Sequence, residues 1–230
     1  MTTSSTSTTN PPLVCWSCRE RTVGTHFCSS CGKVLQVPEH SDYFLMFEMP
    51  RKLWIDMSGL EQKFLQLSFK LHPDNFVNAS AQEREVSLKR SSELNDAYRT
   101  LRDPVARVEY LLAIEGARKE GENKQQAPPE LLEEVFALNE SLDELREART
   151  SGGDTASLKQ RLASAEANFE GKLKEVDQHL QAAAQEWDKA VNTDDAAERQ
   201  TVKAKLNELL NRRSYIRNLV INVQKELAAT

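Results

Sequence analysis

The chain is expected to be all-α: a helical hairpin, then an antiparallel three-helix bundle, with a small cysteine module in front. Three observations predict this. Beyond residue 42 the apolar residues recur at helical spacing over most of the length. Glycine and proline are scarce, 8 of each in 230 residues, while 28% of residues are charged, so helices with broad solvated faces are favoured. All four cysteines fall between residues 15 and 31, so disulfides cannot staple the rest. A net charge of -5 argues against a general nucleic-acid binder. No apolar run is long enough to span a membrane. Neither nucleic acid nor membrane is therefore expected as a partner.

Residues 1–13 form a Ser/Thr-rich tail ending near Asn10-Pro11-Pro12, and they have too little to bury to be ordered. The first basic residue is Arg19, which makes a poor transit peptide, and no apolar signal core is present. By itself the sequence reads as cytoplasmic, or as the matured form of an imported protein. Residues 14–41 are a metal module and its linker. Cys15-Trp16-Ser17-Cys18 and Cys28-Ser29-Ser30-Cys31 are two Cys-x-x-Cys pairs nine residues apart. Two such turns can offer four thiolates to one tetrahedral, structural Zn²⁺, with Zn–S about 2.3 Å. A redox dithiol would need a βαβ surround, and a disulfide would need an oxidising compartment; neither is indicated. Gly32 lets backbone N–H groups turn toward the sulfurs, and Trp16 and Phe27 can cover turns too small for a core. His26 lies between the pairs, but four cysteines already fill the site, so it reads as a bystander. The module should depend on its metal for its fold, and the helical domains should not.

Asp42 is placed to cap a short helix through Tyr43, Phe44 and Phe47 that Pro50 ends. Ile55, Asp56 and Met57 lead into a longer helix with Leu60, Phe64, Leu67 and Leu71 on one stripe. Lys63, Gln66 and Lys70 form a polar, basic stripe opposite it. Pro73 disfavours helix at His72 and cannot continue the hydrogen-bond ladder. His72, Pro73 and Asp74 should thus lie in water at the tip of a hairpin. Leu94, Ala97, Tyr98 and Leu101 mark the returning helix, followed by Asp103-Pro104, Arg107 and Tyr110.

These residues, in this order and spacing, resemble the J-domain family of co-chaperones. The resemblance implies that His72, Pro73 and Asp74, with Lys63 and Lys70 on the preceding helix, contact a DnaK-type ATP-driven chaperone and stimulate its ATP hydrolysis. The family often carries Lys after the Asp, where this chain has Asn75. Asp42-Tyr43-Phe44, Phe47, Pro50, Asp56, Leu60, Phe76 and Arg107-Val108-Glu109-Tyr110-Leu111-Leu112 resemble one branch, the HscB type of iron–sulfur cluster biogenesis. Its eukaryotic members carry paired Cys-x-x-Cys motifs before the J-domain, which implies a mitochondrial matrix protein. The J-domain is expected over 42–114.

Residues 115–129 are polar, end in Pro128-Pro129, and read as a linker. Three helical segments follow over 130–230: about Glu130 to Arg149, Thr155 to Val191, and one running nearly to the end. Ser151-Gly152-Gly153-Asp154 and Asn192-Thr193-Asp194-Asp195 separate them. The core stripes are Leu131, Val135, Leu138, Leu142 and Leu145; Leu158, Leu162, Ala165, Phe169, Val176 and Leu180; and Val202, Leu206, Leu209, Arg213, Ile216, Val220, Val223 and Leu227. Leu132 and Phe136 are a second apolar pair on the first of these helices, and Glu140 and Glu144 continue their line. An apolar pair running into acids suits an interaction patch better than a core. The HscB resemblance implies that Leu132, Phe136, Glu140, Glu144 and Tyr215 bind the cluster-assembly scaffold, a protein of the IscU type. Ala137 and Asn139 stand where the family places more charge.

The chain shows no paired catalytic carboxylates, nucleophile–His–acid set or phosphate-cradling glycine loop, so the expectation is a co-chaperone and not an enzyme. Two alternatives remain: a general J-domain co-chaperone for unfolded clients, and a zinc or redox protein using the cysteine pairs. Self-association is left open.

Overall fold

The computed structural model describes residues 13–22, 24–36, 41–118, 128–193 and 195–229. Most of the expected tail, and residues 119–127 of the expected linker, lie outside these. The chain forms two compact units, up to Arg107 and from Val108 onward.

The first unit begins with two small hairpins. Strands β1 (Leu13–Val14) and β2 (Arg21–Thr22) pair antiparallel, with Leu13 opposite Thr22 and Val14 opposite Arg21. Phe27 bridges Val34 in the second. Thr22 is buried between them, and its Oγ1 accepts from the backbone N–H of Gly24 (3.2 Å) and of Ser29 (3.1 Å). A Cβ at Gly24 would stand 2.2 Å from the Phe27 carbonyl oxygen, so only glycine permits this approach.

Three helices follow, α1 (Tyr43–Met46), α2 (Met57–Leu71) and α3 (Ala81–Arg102), and then α4 (Pro104–Ile114), of which Val108 onward belongs to the second unit. Asp42 caps α1 by accepting from Leu45 N–H at 2.8 Å, Asp56 caps α2 through Ser58 N–H, and Ser80 caps α3 through Glu83 N–H. Helices α2 and α3 form the expected hairpin. Leu60 and Leu71 from one meet Leu94, Ala97 and Leu101 from the other in the buried interior. Phe64 stacks on Tyr98 with ring centroids 4.1 Å apart, and Arg102 lies over the Tyr98 ring at 5.8 Å. Arg107 is buried and donates to the carbonyls of Leu101 (2.6 Å) and Leu53, so it ties the start of α4 to the chain before α2.

In the second unit a 3-10 turn, Pro129–Leu131, leads into α5 (Leu132–Ser151), which is followed by α6 (Ala156–Ala190) and α7 (Ala196–Ala228). Gly152 adopts φ 72° after α5, and the N–H of Gly153 returns to the Ala148 carbonyl. Asp195 caps α7 by accepting from the N–H groups of Ala197 and Glu198. Cross-helix pairs give the directions. Glu134–Lys172 and Glu144–Arg161 climb along α5 as they descend α6. Asp177–Arg213, Glu186–Lys205 and Glu166–Gln224 do the same between α6 and α7. The bundle is therefore antiparallel at each turn. Its core joins Leu138, Leu142 and Leu145 to Leu162, Phe169 and Val176 and to Ile216, Val220 and Val223. Two details depart from the expected stripes. Leu210, not Leu209, is the fully buried residue of its pair, and Trp187 is buried near the end of α6, beyond the expected stripe.

Candidate functional sites

Three places combine exposure with chemistry. The first is the α2–α3 tip. Pro73 holds His72 at φ -59°, ψ 131°, which ends α2 and opens a 3-10 turn over Pro73–Phe76. Two hydrogen bonds hold the end of α2 at the tip: Ser87 Oγ of α3 donates to the Leu71 carbonyl (2.9 Å, buried) and Asn75 Nδ2 to the Phe69 carbonyl (2.6 Å); Asn75 N–H to the His72 carbonyl (3.0 Å) closes the turn itself. Asn75, where the family often has Lys, thus serves as a side-chain cap. His72 and Asp74 remain exposed. His72 Nδ1 lies 3.3 Å from the Asp74 N–H and 3.5 Å from the Asp74 carboxylate, so the two side chains stand together.

The basic stripe beside the tip is narrower than expected. Lys70 is exposed, but Lys63 is half-buried and donates to the Phe47 carbonyl at 2.6 Å, which fastens α2 to the end of α1. Helical phase places Lys63 with Lys70; the carbonyl it serves comes from a loop that periodicity does not see. Leu65 and Phe69, an i, i+4 pair on α2, are 59% and 78% exposed, and the sequence reading placed them on neither stripe.

The second site is the cysteine module. Its two turns repeat the same local structure. Arg19 N–H returns to the Cys15 carbonyl and Gly32 N–H to the Cys28 carbonyl, at 3.0 and 2.9 Å. Arg19 and Gly32, each one residue past its Cys-x-x-Cys, both have positive φ, 63° and 71°. The turns interleave their sulfurs: Cys15 Sγ lies 3.7 Å from Cys31 Sγ, and Cys18 Sγ 3.7 Å from Cys28 Sγ. All four lie within 4.8 Å of one another. Sulfurs at tetrahedral vertices about 2.3 Å from one ion would be about 3.8 Å apart, so the donor set fits a tetrahedral thiolate-bound metal. The backbone prepares the sulfurs for it. N–H groups of Cys31 and Ser30 pull the Cys28 thiol down to about 6. The Glu20 N–H lowers the Cys18 thiol, yet burial and the neighbouring sulfurs together push it up to about 12. Four thiolates this close need a cation among them.

His26 is no ligand in this set, but neither is it a bystander. It is buried against the hairpin, where its Nδ1 meets the Arg90 guanidinium of α3. Burial, then the Arg90 charge, pulls its pKa down to about 4, so the ring is neutral at physiological pH. Arg90 also donates to the Thr25 carbonyl at 3.1 Å, and Lys33 pairs with Glu83. The module is thus docked on the helices, where the sequence suggested an independent appendage.

The third site is on α5. Leu132 and Phe136 are 41% and 71% exposed. Glu140 is exposed as well, while Glu144 pairs with Arg161 at 2.8 Å. Tyr215 is half-buried and packs against the bundle core. Ala137 lines an open groove of about 610 Å³ between α5 and α6, with Ser141, Arg161 and Ser164.

No protein-family model matches the chain. A co-chaperone protein HscB homolog of Vibrio campbellii is 31% identical over 151 residues, covering 65% of this chain and 82% of the relative. The iron-sulfur cluster co-chaperone protein HscB homolog of Arabidopsis thaliana is 34% identical over 146 residues, covering 64% of this chain and about half, 54%, of that relative. Among solved structures, the human co-chaperone protein HscB aligns over 94% of this chain and 99% of its own, with a TM-score of 0.67 and 24% identity, and so shares the fold. With sequence identity sustained over most of the length of a curated relative, and with this fold, the chain belongs to the HscB co-chaperone family.

Proposed function

We propose that this chain stimulates the ATPase of a DnaK-type chaperone and brings it an iron–sulfur cluster scaffold protein as client. The observation that carries the reading is the tip at His72–Asp74, held by Ser87 and Asn75 yet open to solvent. It offers an imidazole N–H and a carboxylate side by side on a short rigid turn, next to the positive charge of Lys70. Such a turn loses little conformational freedom on docking. Leu132 and Phe136, with Glu140 beyond them, would take the scaffold. Their exposure supports this, since apolar side chains of that size left in water on a helix flank suit a partner. Carrying both sites on one chain raises the client's local concentration at the chaperone.

Cys15, Cys18, Cys28 and Cys31 would hold Zn²⁺, which supplies a structural cross-link and no open coordination position. The mitochondrial matrix is the proposed compartment, on the resemblance to eukaryotic members with paired Cys-x-x-Cys motifs. Among the described residues no helix is long and apolar enough to cross a membrane. The test is a steady-state ATPase assay with a mitochondrial DnaK-type chaperone and an IscU-type scaffold. Stimulation by the native chain, lost in His72→Gln, supports the reading; stimulation that persists in His72→Gln overturns it.

A further inference from the structure

One stripe of α3 connects the cysteine module to the hairpin tip. Glu83, Ser87 and Arg90 fall at i, i+4 and i+7 on one face, and all three are buried. The two outer residues hold the module: Glu83 pairs with Lys33, and Arg90 with His26 and the Thr25 carbonyl. The middle residue holds the tip: Ser87 Oγ donates to the carbonyl of Leu71, the residue before His72. Toward its C-terminus the same face turns apolar, with Leu94, Ala97 and Leu101. In the first half of α3 these polar contacts with the module add to its packing on α1 and α2. A buried guanidinium and carboxylate without those partners would be unfavourable enough to draw water in. The 3-10 turn carrying Asp74 also packs on α3.

We propose that the cysteine module is a metal-dependent brace for the hairpin tip. Arg90 and Glu83 are positioning residues, acting on His72–Asp74 through Ser87. With the four sulfurs held together, Thr25, His26 and Lys33 stand at fixed places and α3 is clamped on both sides of Ser87. When the sulfurs part, the two turns lose their common centre, Glu83 and Arg90 rehydrate, and the N-terminal half of α3 frays. The anchor on Leu71 then loosens, and the tip samples conformations in which His72 and Asp74 no longer stand together. The link to chaperone activation rests on the function proposed above; the brace itself does not.

Hydrogen exchange on the full chain tests it, loaded with one equivalent of Zn²⁺ or treated with a chelator. The amides of residues 83–90 and 71–76 should exchange about tenfold faster or more without metal, while α6 and α7 are unchanged. Because metal removal disturbs the whole module, a second variant keeps the metal: Lys33→Ala with Arg90→Met. It should retain its zinc, yet show the same faster exchange over 71–76. In the ATPase assay it should stimulate several-fold less than the native chain. Exchange over 71–76 that ignores both metal and variant overturns the brace. Full stimulation by the variant despite a loosened tip overturns its role in activation. Failure of the proposed function reads out separately, as a His72→Gln protein that stimulates normally.

Discussion

Replacing Leu132 and Phe136 together by Ala separates a binding patch from a core by magnitude alone. In a bundle interior, Leu→Ala costs about 2–5 kcal/mol and Phe→Ala about 3–5 kcal/mol. Here Phe136 is 71% and Leu132 41% exposed, so only a minor part of the Phe side chain, and somewhat more than half of the Leu, leaves a packed environment. At roughly 1.5–3 kcal/mol for complete burial of such a side chain, the pair should cost about 2 kcal/mol. Alanine returns a few tenths at each exposed helix position. For a unit of this size the loss lowers Tm by several degrees, against well over ten for two core positions. If the pair anchors the scaffold, each truncation should cost about 1–3 kcal/mol of affinity, so Kd should rise at least about thirtyfold. Scanning calorimetry reads the first quantity and titration calorimetry with the scaffold reads the second. Tyr215→Ala does not belong in this variant, because Tyr215 packs on the core and its loss would mix the two effects; Tyr215→Phe keeps the packing. A double variant whose bundle melts more than ten degrees early would show that the pair is core. One that stays folded and binds normally would place the client elsewhere.

Other expectations follow from single side chains. His72→Gln should keep native helicity and scaffold affinity, since the side chain is exposed, and lose ATPase stimulation; circular dichroism and the ATPase assay check both. Protein purified under reducing conditions should contain one zinc per chain by elemental analysis, and chelation should speed the reaction of its buried thiols, Cys15 and Cys28, with a thiol reagent. Arg107→Met should destabilise the first unit by about 2–4 kcal/mol, because the carbonyls of Leu101 and Leu53 stay buried without their donor; urea unfolding measures this. Arg161→Ala should change stability by less than about 1 kcal/mol, as its partner Glu144 is also partly exposed, and a denaturation midpoint shift larger than that would contradict the surface character of the pair.

What could be seen in the sequence was local or periodic. Asp42 stands one residue before its helix, and caps are short-range signals. The α5 stripe from Leu131 to Leu145 needed only its spacing; reading Leu132 and Phe136 as exposed also needed the acids that continue their line and the family resemblance. Pro73 placed the tip through its own ring. What escaped depends on contacts between distant segments. His26 and Arg90 are 64 residues apart, and neither neighbourhood carries a pattern that pairs them. Lys63 and Lys70 share a helical face, yet only Lys63 finds the Phe47 carbonyl within reach. Tyr215 looked like an interface aromatic by resemblance, while its half-burial is decided by neighbours on other helices. Helical phase tells which residues share a side; it does not tell what covers that side.

The four sulfurs are unequal in access. Cys15 and Cys28, the first of each pair, are buried, Cys18 is intermediate, and Cys31 is exposed. A reagent from solution therefore meets the centre at one edge. A competing chelator, an electrophile or an oxidant reaches Cys31 first, and the inner sulfurs open only after that ligand has let go. Metal exchange should then proceed stepwise from the second turn, at a rate set by detachment of one thiolate. Alkylation followed over time should label Cys31 well before Cys15.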